Sequence, residues 1–238
     1  MINVEDFKKS VKEIEKSIWE NYIDENGKAD PIIDGIIDID EYLSSAPKIL
    51  WILKEPHDEI EDGLAAGGGW KFSDDFLGKE DYYKKLNKSK ATWNPIVYTS
   101  FSILNGFKKF SELDDLIDNP LMYSVVKKIA VINVKKLPGF TKTPNFSIIK
   151  KSYDKNKEIL HQQIELFNPD IIIGGSTLHL FFDYLKISQN DLLHDEANYA
   201  IKNSKLYITA YHPAQTEISQ EKYVNEIVNI AEKYWHNR

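Results

Sequence analysis

Lys48-Ile49-Leu50-Trp51-Ile52-Leu53-Lys54-Glu55-Pro56-His57 decides the fold. Five consecutive apolar residues without polar alternation predict a short strand covered on both faces, as in a parallel sheet. A charged pair and a proline then end it and leave a carboxylate at its carboxyl end. Three further runs share that character: Ala130–Val134, Asp170–Gly174 and Lys205–Ala210. Between them lie segments of helical spacing, Val4–Ile23, Asn94–Phe107, Ser147–Phe167 and Gln220–Trp235. Strands alternating with helices predict an α/β fold with right-handed crossovers. We read residues 1–238 as one domain, with residues 1–44 as a helical extension packed upon it.

The 238 residues carry 42% hydrophobic and 28% charged side chains, ordinary for a globular protein with a sizeable core. No run approaches the roughly 18–20 apolar residues of a membrane helix. The amino-terminal residues lack the basic start and apolar stretch of a signal peptide, so a cytoplasmic location is expected. The chain has no cysteine, which rules out disulfides, thiolate nucleophiles and cysteine-bound metal clusters. No metal ligand set and no cofactor motif is evident, and neither phosphate-loop pattern of glycines occurs. A net charge of −7 argues against broad, sequence-independent adhesion to DNA. It leaves room for a local rim built from Lys135, Lys136 and Lys142, or from Lys150, Lys151, Lys155 and Lys157. A solvated helix face accounts for those lysines equally well.

The carboxyl ends of the four predicted strands carry the chemistry, since ligands of open parallel sheets bind there. The first leads into Lys54-Glu55-Pro56-His57. The second carries Asn133 and exits through Lys135 and Lys136. The third ends in Gly174-Gly175-Ser176-Thr177 at a predicted helix start, and the fourth in His212-Pro213-Ala214-Gln215. A carboxylate, a carboxamide, a helix amino terminus and an imidazole thus share one sheet edge. Each has a plainer reading: Glu55 and His212-Pro213 as turn residues, Asn133 as a loop cap, Ser176 as part of helix packing. Residues 58–90, charged and holding Gly67-Gly68-Gly69, form a loop long enough to be functional.

Read in order, these segments resemble the uracil-DNA glycosylase superfamily. Leu53-Lys54-Glu55-Pro56-His57 is similar to its first motif, Gly-Gln-Asp-Pro-Tyr in one branch and Gly-Glu-Ala-Pro-Gly in another. Gly69-Trp70-Lys71-Phe72-Ser73 is similar to its Gly-Leu-Ala-Phe-Ser, Ala130–Gly139 to the strand with its base-reading asparagine, and Pro169–Thr177 to its third strand. Tyr211-His212-Pro213-Ala214 is similar to its His-Pro-Ser motif. The resemblance spans roughly residues 45–235. It implies a three-layer α/β/α sandwich around a four-stranded parallel sheet in the order 2-1-3-4, and hydrolysis of the N-glycosidic bond of uracil or a related damaged base in single- or double-stranded DNA.

By the same resemblance Glu55 and His212 are catalytic, the first stabilising a cationic sugar and orienting water, the second donating to the departing base. Asn133 reads the base, Phe72 stacks on it, and Lys54, Pro56, His57, Ser176 and Pro213 complete the substrate site. Lys135, Lys136 and Gln215 are expected to contact DNA. The chain departs from the pattern in placing Glu55 for aspartate, His57 for tyrosine and Ala214-Gln215-Thr216 for the apolar wedge Ser-Pro-Leu. Two alternatives stay open: a non-catalytic module that binds nucleic acid or protein, and a hydrolase of small nucleoside-like substrates.

Overall fold

A computed structural model describes residues 3–24, 27–77, 83–84, 86, 89–139 and 145–238. In chain order the strands are β1 (Gly35–Ile36), β2 (Ile49–Leu53), β3 (Glu59–Glu61), β4 (Leu64–Ala66), β5 (Ala130–Asn133), β6 (Ile171–Gly175), β7 (Leu193–His194), β8 (Asn198–Lys202) and β9 (Lys205–Ala210). The α-helices are α1 (Val4–Asn21), α2 (Ile39–Ser44), α3 (Phe72–Phe76), α4 (Lys90–Leu104), α5 (Phe146–Phe167), α6 (Phe182–Leu185) and α7 (Gln220–His236).

The main sheet has seven strands in the order β1-β5-β2-β6-β9-β8-β7. Strands β5, β2, β6 and β9 run parallel, whereas β1 joins antiparallel at one edge and β8 and β7 at the other. The expected sheet of four strands is therefore corrected to a wider, mixed one. Sequence reading missed the edges because β1 and β7 have only two residues each, too few to show a period. Strand β8 did leave a signal. It turns into β9 through Asn203-Ser204, both at positive φ (51° and 58°), the geometry of a tight two-residue hairpin.

Every residue of β2, β5 and β6 is buried, which explains the unbroken apolar runs. The two faces bury different partners. Ile49, Trp51 and Leu53 meet the apolar stripe of α7 (Tyr223, Val224, Ile227, Val228) and residues of α4. Trp51 Nε1 also donates to Ser100 Oγ at 3.0 Å, tying α4 to the sheet. Leu50 and Ile52 face the opposite way, towards Phe7 and Val11 of α1 and Ile149, Leu160 and Ile164 of α5. Helices thus cover the sheet on both sides.

Local chemistry sets the helix ends. Asn3 caps α1 by accepting from the Glu5 and Asp6 N–H groups, and Asn145 and Ser219 cap α5 and α7. Asn168, in the left-handed region (φ 45°) just before Pro169, stops α5. Helix α4 begins at Lys90, a turn before the sequence reading placed it at Asn94; Pro95 marks a common first helical position but here lies inside the helix.

Residues 1–44 contribute more than a packed helix. They supply edge strand β1, and residues 29–33 pair with the glycine-rich stretch: Ile33 N–H donates to Trp70 O at 3.0 Å and Phe72 N–H to Ile33 O at 2.9 Å. Gly68 is required in this seam, because a Cβ there would lie 1.9 Å from the Asp30 carbonyl oxygen. Within residues 58–90 the described part holds the β3–β4 hairpin and α3. Among the described residues no helix is long and apolar enough to cross a membrane, and no group of three or more His, Asp or Glu could hold a metal ion.

Candidate active site

Strands β2 and β5 stay paired beyond the sheet. Val134 N–H donates to Leu53 O, Lys135 N–H to Lys54 O and Gly139 N–H to Pro56 O, at 2.8–2.9 Å. These paired extensions hold Glu55 above Gly139, where an added Cβ would lie 1.9 Å from the carboxyl carbon. Lys135 Nζ reaches Glu55 Oε2 at 2.7 Å and the Pro138 carbonyl at 2.9 Å. Glu55 Oε1 has no hydrogen bond among the described residues. The carboxylate is thus pinned by one oxygen, with a side-chain exposure of 7%.

A cleft of about 690 Å³ opens at this point, lined by Glu55, Pro56, His57, Phe72, Asn133 and His212, and by Trp70 and Trp93. Three of the strand ends named from sequence therefore meet in one cavity. His212 Nδ1 accepts the Ala214 N–H at 3.2 Å. Burial first, and the Lys54 charge second, pull its pKa down to about 4. The ring is therefore neutral near pH 7, with its only proton on Nε2.

Asn133 is buried at the end of β5. Its backbone N–H and Nδ2 both donate to Asp34 Oδ2, at 2.7 and 3.0 Å. Its Oδ1 has no hydrogen bond among the described residues, and Asn133 lines the cleft. Asp34 also holds Lys136, whose Nζ lies 2.6 Å from Oδ1 and 2.8 Å from Gln163 Oε1. Burial draws the Lys136 pKa down, and the Asp34 carboxylate opposes that shift.

One wall of the cleft is aromatic. Trp70 stacks on Phe72 (centroids 5.5 Å apart, planes at 20°), and Phe72 touches Phe76 and Trp93 at 5.8 and 6.0 Å. Asp58 Oδ2 fixes this wall by accepting from Trp70 Nε1 at 2.9 Å and the Gly68 N–H at 2.7 Å. Phe72 is only 5% exposed, so Trp70 and Trp93, each half-buried, offer more open ring surface. Both tryptophans went unassigned from sequence, although Trp70 stands inside the quoted motif.

Other expected site residues lie elsewhere. Ser176 opens on a separate cleft of about 400 Å³ with His179 and Tyr211. The segment after it is not an α-helix start: Thr177 donates to the Ile52 carbonyl at 2.7 Å, and a 3-10 turn (Leu178–Phe181) follows. The expected α-helix start is thereby corrected, and Ser176 does not line the main cleft. Lys54 and Pro213 flank His212 without lining the main cleft.

One expected DNA contact is corrected as well. Lys136 is 0% exposed and locked to Asp34, so its charge cannot reach a phosphate. Gln215, half-buried, donates to the Ile218 carbonyl and accepts from its N–H, both at 2.9 Å. Lys135, the third, is engaged with Glu55. Lys150, Lys151, Lys155 and Lys157 form an exposed face of α5, with Lys150 paired to Asp154, whereas Lys142 lies outside the described residues.

No protein-family model matches the chain, and a search of curated proteins finds no match.

Proposed function

We propose that this protein hydrolyses the N-glycosidic bond of a uracil-type base, as a divergent relative of the uracil-DNA glycosylases. The observation that carries the reading is the meeting of Glu55, Asn133 and His212 in one cleft with an aromatic wall. The parallel run β5-β2-β6-β9 within the wider sheet supports the same kinship.

Each group suits a stage of the reaction. As the bond to the base stretches, positive charge grows on the sugar and negative charge on the base. The Glu55 carboxylate stabilises that cation and aligns water through Oε1, and a charge held in place needs no reorganisation as the reaction proceeds. Lys135 holds the other oxygen, Oε2, at 2.7 Å and so fixes the carboxylate in place. His212 supplies Nε2–H to the departing base; a neutral donor holds the anion without first paying for its own protonation. Asn133 meets the base edge, and Trp70 and Trp93 cover its faces.

Internal engagement of Lys135, Lys136 and Gln215 supports a second reading, in which the substrate is a small nucleoside rather than DNA. Both readings are tested together by measuring uracil release from single-stranded and double-stranded oligonucleotides and from deoxyuridine. The wild type should release uracil from at least one of them, and Glu55→Gln, Asn133→Ala and His212→Ala should each lose activity by about a hundredfold or more. Release from deoxyuridine alone would select the nucleoside reading. No release from any substrate would refute hydrolysis.

A further inference from the structure

Asn133 is the residue on which base recognition turns, and its orientation is set by a carboxylate 99 positions earlier in the chain. A carboxylate only accepts hydrogen bonds. Of the two ends of the Asn133 amide, only the NH2 can face Asp34 Oδ2 at 3.0 Å; the flipped amide would set two acceptor oxygens against each other. We infer that Asp34 is a positioning residue that locks the Asn133 carboxamide with Oδ1 towards the cleft, so that the cleft selects a ligand edge bearing an N–H donor beside a carbonyl. The imide edge of uracil has that form, and the second Nδ2 hydrogen is left for its carbonyl. The ligand class rests on the function proposed above; the lock on Asn133 does not.

The surroundings of Asp34 fit this role. Its Oδ2 takes both donors of Asn133, and its Oδ1 takes Lys136 Nζ at 2.6 Å, with both side chains of the ion pair 0% exposed. Gln163 closes the ring by accepting from Lys136 at 2.8 Å and donating to the Asp34 carbonyl at 3.3 Å. With both carboxylate oxygens occupied, Asp34 cannot turn away from Asn133. A buried ion pair contributes little net stability compared with apolar residues of the same volume. Its value here is directional: it fixes which end of one amide meets the ligand.

The test compares binding of uracil and 3-methyluracil, which lacks the N–H, by quenching of tryptophan fluorescence. Wild type, Asn133→Ala and the double variant Asp34→Leu/Lys136→Met are compared, the last removing both buried charges at once. The wild type should prefer uracil by about tenfold or more, the effect of one unmet buried acceptor. In the double variant and in Asn133→Ala that preference should fall to within about threefold. A merely structural role would weaken both ligands alike, so an unchanged ratio in a folded double variant overturns the inference.

A second measurement is independent of ligand and of the double variant's folding. In the wild type, the Asn133 side-chain NH2 signals, assigned by their absence in Asn133→Asp, should be resolved and slow to exchange with solvent. Fast exchange would overturn the lock. Slow exchange in a wild type that binds neither base would keep the lock and discard the ligand class together with the proposed function.

Discussion

Replacing Lys136 by methionine should be among the most damaging single changes in this protein. The substitution removes an ammonium 2.6 Å from Asp34 Oδ1 and 2.8 Å from Gln163 Oε1 while nearly preserving volume. What remains is a carboxylate with a side chain 0% exposed, held only by the neutral Asn133 and Gln163 donors. Breaking a buried ion pair by removing one partner costs roughly 3–5 kcal/mol, because the other charge is stranded. For a chain of this size that corresponds to a fall in Tm of roughly 10 °C. Urea unfolding followed by tryptophan fluorescence measures the loss. The Asp34→Leu/Lys136→Met protein should regain most of it, since an apolar pair of similar volume strands no charge. A single variant within about 1 kcal/mol of wild type would show that the charges are not sealed as described, and would refute the reasoning.

The remaining predictions concern the cleft and its walls. His212 has a folded pKa of about 4, below the ordinary value of 6.5, so the unfolded chain binds its proton first as pH falls. Its contribution to stability is therefore full above about pH 6.5 and is lost down to about pH 4, while activity carried by the neutral ring should persist to about pH 4. In Lys54→Met the acid limb of the rate profile should move up towards 6.5, and an unmoved limb would refute the charge coupling. Gly139→Ala places a Cβ 1.9 Å from the Glu55 carboxyl carbon; pushing the carboxylate aside by roughly 1 Å should lower kcat about a hundredfold. Wild-type activity in that variant would exclude Glu55 from the chemistry. Gly68→Ala meets the Asp30 carbonyl at 1.9 Å with φ at +82°, and should lower Tm and expose the seam to proteolysis; an unchanged Tm would show that the seam is dispensable.

The central strands were legible in the sequence because a strand buried on both faces has no polar alternation to hide it. Each of the four falls within a residue of its expected start and end. That Glu55, Asn133 and His212 would share one cleft was legible because all three stand at the carboxyl ends of those strands. For Asn133 there was also a second signal: a polar side chain in an apolar run is costly to bury without a partner. What stayed hidden depended on distant partners. Lys136 reads as a surface cation beside Lys135, and only Asp34, 102 residues away, makes it a buried one. Gln215 reads as a free amide until its loop closes on Ile218. Trp70 and Phe72 alternate along one short segment, and no sequence period says which of two stacked rings will face the cavity.

Just past the seam between residues 29–33 and the stretch around Gly68, Asp34 takes all its side-chain partners from far later in the chain. Asp34 is synthesised long before Asn133, Lys136 and Gln163, so its carboxylate waits in water until helix α5 has been made. Contacts this distant in sequence are slow to form. The corner of the cleft where Asp34 meets Asn133, Lys136 and Gln163 therefore cannot be complete until α5 has joined it. A version of this protein trimmed to begin at β2 would retain Glu55, Asn133 and His212 and still lack the carboxylate that aims the second of them.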